Sequence, residues 1–184
     1  PNGLKLETNY KYDKNGNLTR IIDPNGNNSW MIYDEANRKT YDINAEGSVT
    51  QYVYDKNGRI YYTRQYADKA DTGNLGNTPS SVNVSTNAPT NDRRKFNVYD
   101  DNGNLRFLLQ EQKANAWLIS ENRYDNNGNV IKLIQYDKTF TDSDINSLDS
   151  NHSDDNAMSD SAVTARLQSA LGRSNNYLGE SRIT

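Results

Sequence analysis

The stretch Gln51-Tyr52-Val53-Tyr54-Asp55-Lys56-Asn57-Gly58-Arg59-Ile60-Tyr61-Tyr62 reads as a strand, a tight turn and a second strand. Tyr52 and Tyr54 share one face of an extended chain and Val53 takes the other, because successive side chains of a strand alternate. Asp55 opens the turn by accepting backbone N–H groups, and Gly58 supplies the positive φ that closes it. A type I turn followed by a left-handed glycine is a hairpin connection whose bulge is set by that glycine. The return strand then brings Ile60 and Tyr62 back against Tyr54 and Tyr52.

Working outward, the same turn occurs at Tyr12-Asp13…Gly16, Tyr33-Asp34…Asn37, Tyr99-Asp100…Gly103 and Tyr124-Asp125…Gly128. Tyr12, Tyr33 and Tyr54 are spaced evenly, 21 residues apart. A fixed period of that size signals stacked supersecondary units. Asn37 stands where the other copies have glycine, and Asn is the next most tolerant residue of the left-handed region. Between copies lie linking turns, Asp23-Pro24-Asn25-Gly26-Asn27 and Asn44-Ala45-Glu46-Gly47, so one period holds two strands and two turns. The expected fold is all-β: a repetitive antiparallel hairpin array forming a curved sheet, with one short C-terminal helix.

Residues 1–137 should form this array, interrupted at about 67–92 by a surface loop of Asp, Asn, Gly, Thr, Ser and Pro. Residues 138–184 should form a separate Asp/Ser/Asn-rich segment. Within it a helix is expected over about 160–171, capped by Ser159 or Asp160, with Val163, Leu167, Ala170 and Leu171 on one face and Gly172 beyond its end.

The composition suits a thin sheet wet on at least one side. Of 184 residues 33% are hydrophobic, and 13 tyrosines outnumber 3 Phe and 2 Trp. The mean hydropathy is -1.03. Tyrosine combines large buried area with a hydroxyl that needs a partner. The formal net charge of -3 and the lack of a Lys/Arg cluster beyond Arg93-Arg94-Lys95 exclude a nucleic-acid footprint. No apolar run is long enough to span a bilayer. The absence of cysteine excludes disulfides and thiolate metal sites. The chain shows no signal-peptide pattern and starts at Pro1 without methionine, so a piece of a longer polypeptide is expected.

Sites for chemistry are scarce. His152 is the sole histidine and falls in a polar stretch, where an exposed loop histidine is the reading. Aspartates are plentiful enough to offer a carboxyl pair for glycosidic chemistry, but the repeated ones already have turns to form, which weighs against it. Asp142-Ser143-Asp144-Ile145-Asn146 starts like a calcium loop but has Ser147 at its sixth position and Ser153 at its twelfth. A solvated acidic loop is the expectation there. No catalytic residue, cofactor site or metal site is assigned. The tyrosine rows read as rings stacked across strands. The competing reading is an aromatic platform for sugar rings.

The motif Y-D-x-x-G-N-L/V-x-x-L/I with its D-P-x-G-N link resembles the YD repeat of the Rhs family. That family includes bacterial polymorphic toxins, insecticidal Tc toxin components and the animal teneurins. The resemblance covers roughly residues 10 to 136. It implies strands spiralling into a hollow β-shell that, in the toxins, encloses a C-terminal effector. By that resemblance the chain is a wall segment, not an enzyme, of a secreted or cell-surface protein. Its partners would be adjacent repeats of the parent polypeptide and the enclosed effector, with carbohydrate binding or adhesion as the alternative. The shell-closing segment where the family cleaves itself is not seen, and Asp23-Pro24 belongs to a linking turn. Unpaired strand edges lead to an expectation of self-association.

Overall fold

The computed structural model describes residues 5–84, 91–136, 139–148 and 161–171. Ten strands follow one another: β1 (Asn9–Tyr12), β2 (Leu18–Ile22), β3 (Asn28–Tyr33), β4 (Lys39–Ile43), β5 (Val49–Tyr54), β6 (Ile60–Gln65), β7 (Arg93–Tyr99), β8 (Leu105–Lys113), β9 (Ala116–Tyr124) and β10 (Val130–Gln135). They are ordered as an open antiparallel sheet in which each strand bonds to its neighbours in sequence. Two helices follow, α1 (Asp142–Leu148) and α2 (Ser161–Ala170). The all-β hairpin array is therefore the fold, and it carries one helix more than the sequence reading allowed.

The chain divides into two compact units, one of Pro1–Val53 with Thr63–Arg94 and the other of Tyr54–Tyr62 with Lys95–Thr184.

In the first unit Trp30, Ile32, Ile43 and Val49 form the buried cluster. Trp30 and Ile32 share one face of β3, with Met31 between them also buried, and Ile43 pairs with both Trp30 and Val49 across the sheet. The segment after β6 supplies the other half of this core. Leu75, Val82 and Val84 pack against the cluster, the indole of Trp30 donates to the Gly76 carbonyl at 3.0 Å, and Ala70 pairs with Val84. The 67–92 insertion is therefore not only a surface loop: its described part is the cover of this sheet face. Asp92 fastens its two ends. One carboxylate oxygen accepts the Ala67 N–H at 2.8 Å and the other the Arg64 guanidinium at 2.6 Å.

In the second unit Phe96, Val98, Phe107, Leu109, Trp117 and Ile119 alternate along β7, β8 and β9 to form the sheet side of a core. Phe140, Ile145 and Leu167 close it from the helical segment. The expected helix is present as α2, and of its predicted stripe Leu167 is buried while Ala170 and Leu171 pack against the cluster. The cap residues Ser159 and Asp160, the side chain of Val163, and Gly172 lie outside the described residues.

The acidic stretch is a correction. Residues 142–148 are helical, not a solvated loop, because Thr141 and Asp144 form a reciprocal capping box. The Asp144 carboxylate accepts the Thr141 N–H at 2.8 Å, and the Thr141 hydroxyl accepts the Asp144 N–H at 3.2 Å. Asp142 then takes the Trp117 indole N–H at 2.7 Å, which ties the helix to the sheet core.

Leu167 and Leu133 offer a paired test, the first fully buried and the second 69% exposed. Leu167→Ala should cost about 2–5 kcal/mol in urea unfolding, and Leu133→Ala should stay within about 0.5 kcal/mol. Equal small effects would mean that α2 does not pack on the sheet.

Candidate functional site

The repeated turn is the one constellation the chain builds many times, and its geometry barely varies. At Asp13 the Gly16 N–H donates to the Asp13 carbonyl at 3.2 Å and the Asp13 N–H donates to the Asn17 carbonyl at 3.0 Å. The same two bonds recur at Asp23, Asp34, Asn44, Asp55, Asp100 and Asp125. The linking turns at Asp23 and Asn44 are therefore built like the tyrosine-aspartate turns. One side-chain oxygen of each opening residue accepts two backbone N–H groups, two and four residues on, at 2.8–3.0 Å.

The second carboxylate oxygen takes the side chain of the residue after the glycine position. That donor is an amide in Asn17, Asn27, Asn104 and Asn129, and a guanidinium in Arg38 and Arg59. Gly16, Gly58, Gly103 and Gly128 all have positive φ, and Asn37 sits at φ 60. Asn37 does more than tolerate that backbone. Its side-chain oxygen accepts the amides of both Asn15 and Asn17 at 2.8 Å, lacing two neighbouring turns together.

Hydrogen bonding to the charged form holds the carboxyls of Asp13, Asp23, Asp34 and Asp125 below the ordinary value. The Asn17, Asn27 and Asn129 amides are the largest cause at Asp13, Asp23 and Asp125 respectively. At Asp34 partial burial pushes upward, and the backbone N–H and guanidinium of Arg38 outweigh it.

A second bulge follows the hairpins of Asp13, Asp34, Asp100 and Asp125. Tyr12 pairs with Leu18 while Lys11 pairs with Arg20, so Thr19 is an extra residue. Thr40, Arg106 and Ile131 are extra in the same way. The Thr19 and Thr40 hydroxyls bond back to the carbonyls of Lys11 and Ile32 at 3.2 Å. The sequence reading placed a bulge only at the glycine.

The tyrosines act at this second bulge. The Tyr33 hydroxyl donates to the Leu18 carbonyl at 3.0 Å, Tyr99 to the Ile60 carbonyl at 2.9 Å and Tyr124 to the Leu105 carbonyl at 2.8 Å. Leu18 and Leu105 are the residues paired with the tyrosine of the previous copy, Tyr12 and Tyr99. Asn97 and Asn122 donate to the same Ile60 and Leu105 carbonyls at 2.7 and 3.0 Å. Tyr33, Tyr99 and Tyr124 therefore each staple their hairpin to the one before. Burial pushes the Tyr33 and Tyr99 hydroxyls up from their ordinary pKa.

Sequence reasoning assigned these rings to cross-strand stacking, and the structure instead gives their hydroxyls the defining role. Aromatic pairing is found at Tyr62–Phe96 and Phe96–Trp117, with ring centroids 4.7 and 5.6 Å apart. Several tyrosine faces that a sugar would need are covered by cations. Arg59 lies 4.3 Å from the Tyr99 centroid, Arg64 4.4 Å from Tyr66 and Lys39 5.5 Å from Tyr52.

The most enzyme-like cluster surrounds Glu121, which is 2% exposed. Arg106 at 2.6 Å, Arg123 at 3.3 Å and the Tyr136 hydroxyl all donate to its carboxylate. These donors satisfy a charge that burial would otherwise penalise. Among the described residues no group of three or more His, Cys, Asp or Glu side chains gathers as a metal site. His152 lies outside the described residues. Asp142 and Asp144, the start of the calcium-like stretch, both use carboxylate oxygens on internal donors.

Fold and turn together define a β-hairpin repeat protein whose units are locked by aspartate turns and tyrosine staples. The family model described as RHS Repeat matches residues 12–42, from the first tyrosine-aspartate turn through most of β4. That stretch is similar to the repeat unit described by that model, in line with the resemblance to the Rhs/YD-repeat family. No curated protein matches the sequence.

The staple predicts a graded series. Tyr33→Phe should cost about 1 kcal/mol in urea unfolding. Tyr124→Phe should cost less, since Asn122 still donates to Leu105, and Tyr12→Phe should cost nothing in the single chain. Equal effects at Tyr12 and Tyr33 would dismiss the staple.

The turn carboxyls predict acid sensitivity with a definite sign. Their folded pKa lies below the ordinary value of 3.8, so their contribution is present above that value and lost as pH falls through the folded pKa. Asp23→Asn, which copies the neutral turn of Asn44, should make the decline of the urea midpoint below pH 4 shallower. An unchanged slope would show that this carboxyl does not report on folding.

Proposed function

We propose that this chain is a wall segment of an Rhs-type β-shell, and that its role is to enclose and insulate a partner polypeptide, not to catalyse. The observation that carries the reading is the staple between successive hairpins. A phenol that reaches back to a carbonyl of the preceding copy recurs at Tyr33, Tyr99 and Tyr124. It adds one hairpin at a time and needs no ligand. The RHS Repeat match at residues 12–42 supports the same reading.

The cargo in this proposal is a toxin or effector domain of the same parent polypeptide, exported with its shell to the cell surface or beyond. Among the described residues no helix is long and apolar enough to cross a membrane. The covered tyrosine faces weigh against the sugar-platform alternative.

Limited proteolysis of the chain together with its flanking parent sequence tests the proposal. The downstream segment should resist protease while the array is intact. It should become cleavable when Asp34→Ala and Asp55→Ala loosen two turns. A downstream segment cut equally fast in both proteins would defeat enclosure.

A further inference from the structure

Of the seven repeated turns among the described residues, five place asparagine directly before the left-handed glycine. They are Asn15-Gly16, Asn25-Gly26, Asn57-Gly58, Asn102-Gly103 and Asn127-Gly128. Asn-Gly is the pair most prone to lose its side-chain amide spontaneously, because glycine has no Cβ to shield its nitrogen. In that reaction the glycine nitrogen attacks the asparagine Cγ and a C–N bond forms. Nδ2 leaves as ammonia, taking the proton of the glycine N–H with it. Water then opens the succinimide at either carbonyl, giving aspartate or isoaspartate. No enzyme or cofactor is required, so a chain with this pair in turn after turn modifies itself unless its fold withholds the nucleophile.

The turn withholds it. Each of these glycine N–H groups donates to the carbonyl of the aspartate that opens its turn, at 2.9–3.2 Å. The N–H of each asparagine is held by the carboxylate of the same aspartate at 2.8–3.0 Å. Bringing the glycine nitrogen onto Cγ rotates the peptide that joins the two residues and breaks the first of these bonds. At Asn15 the leaving group is held as well, since its Nδ2 donates to the Asn37 side-chain oxygen at 2.8 Å. Isoaspartate would route the backbone through an extra carbon and carry the glycine N–H off its acceptor.

We propose that the five Asn-Gly pairs are deamidation sites that the aspartate turn keeps unreactive, each released by the opening of its own hairpin. Reaction is then governed by local opening, which differs from place to place in a folded chain. Asn15, whose amide is tied to the next copy, is the best guarded of the five. The aspartate thus preserves the covalent structure of its turn as well as the turn's shape. None of this depends on what the array encloses.

Site-resolved peptide mass spectrometry after incubation in warm, mildly alkaline buffer reads the reaction. In the folded chain all five sites should deamidate at least about tenfold more slowly than in the same chain unfolded in guanidinium chloride, the scale of one or two hydrogen bonds broken on opening. Asn37→Gly suits the left-handed backbone and removes the side chain, so it should speed Asn15 and leave Asn102 and Asn127 unchanged. Asp100→Ala should speed Asn102 ahead of the other four. Asp100→Asn should not, because an amide oxygen accepts the same backbone N–H groups at Asn44. Equal rates in the folded and unfolded chains would overturn the proposal. So would an Asn37→Gly chain in which Asn15 is no faster or all five speed alike, or an Asp100→Asn chain as fast at Asn102 as Asp100→Ala.

Discussion

The carboxylate that opens each turn accepts backbone N–H groups two and four residues on through one oxygen, while the residue after the glycine position donates to the other. These bonds are local and form within five residues, so each hairpin's reversal is specified before any distant contact is made. That matters in a chain with a mean hydropathy of -1.03, which has little apolar surface to drive collapse. With the turn set, the left-handed residue and the bulge after it fix which face each strand residue takes. A slip of one residue would turn the buried faces of β3 and β8 outward. The turn is thus the source of register, and register places Trp30, Ile32, Phe107 and Leu109 in their cores.

A single hairpin is marginal in water even with a good turn. Two further devices make the array stable. The phenol staples of Tyr33, Tyr99 and Tyr124 join their hairpins to the preceding ones through a backbone carbonyl. Non-repeating segments then cover a face of each unit: residues around Leu75, Val82 and Val84 in the first, and those around Phe140, Ile145 and Leu167 in the second. The repeat supplies half of each core. The irregular sequence supplies the rest, and Asp92 and the capping box of Thr141 and Asp144 hold those irregular segments in place.

The strands and turns were legible in the sequence because turn chemistry is local: Asp, Gly and the alternating residues around them leave few other conformations. Asn37 was legible as a left-handed residue, but its bonds to Asn15 and Asn17 were not, since they join turns a full period apart. The role of Asn17, Arg38 and Arg59 was available in the pattern, because Asn or Arg follows the glycine position in each tyrosine-aspartate turn. The cover from the insertion was hidden because Leu75, Val82 and Val84 have no period and lie among Thr, Ser and Asn. Helix α1 was hidden by its acidity, although Thr141-x-x-Asp144 is a helix-start signal. The tyrosine staple could not be read, because hydroxyl reach depends on the second bulge.

The staple also explains why the repeat uses tyrosine where phenylalanine would bury as well. A bulge breaks the ladder and redirects a carbonyl, and a buried carbonyl without a donor is costly. Tyrosine spans that gap from the next hairpin, so the distortion that bends the strand becomes the point where neighbours are joined. The same accounting extends to the carboxylates. The turn aspartates use their carboxylate oxygens on backbone and neighbouring side-chain donors, and Glu121 does likewise with two arginines and a phenol. Among the described residues no buried side-chain nitrogen or oxygen lacks a partner. Groups committed in this way hold the turns and the sheet of the repeat array together.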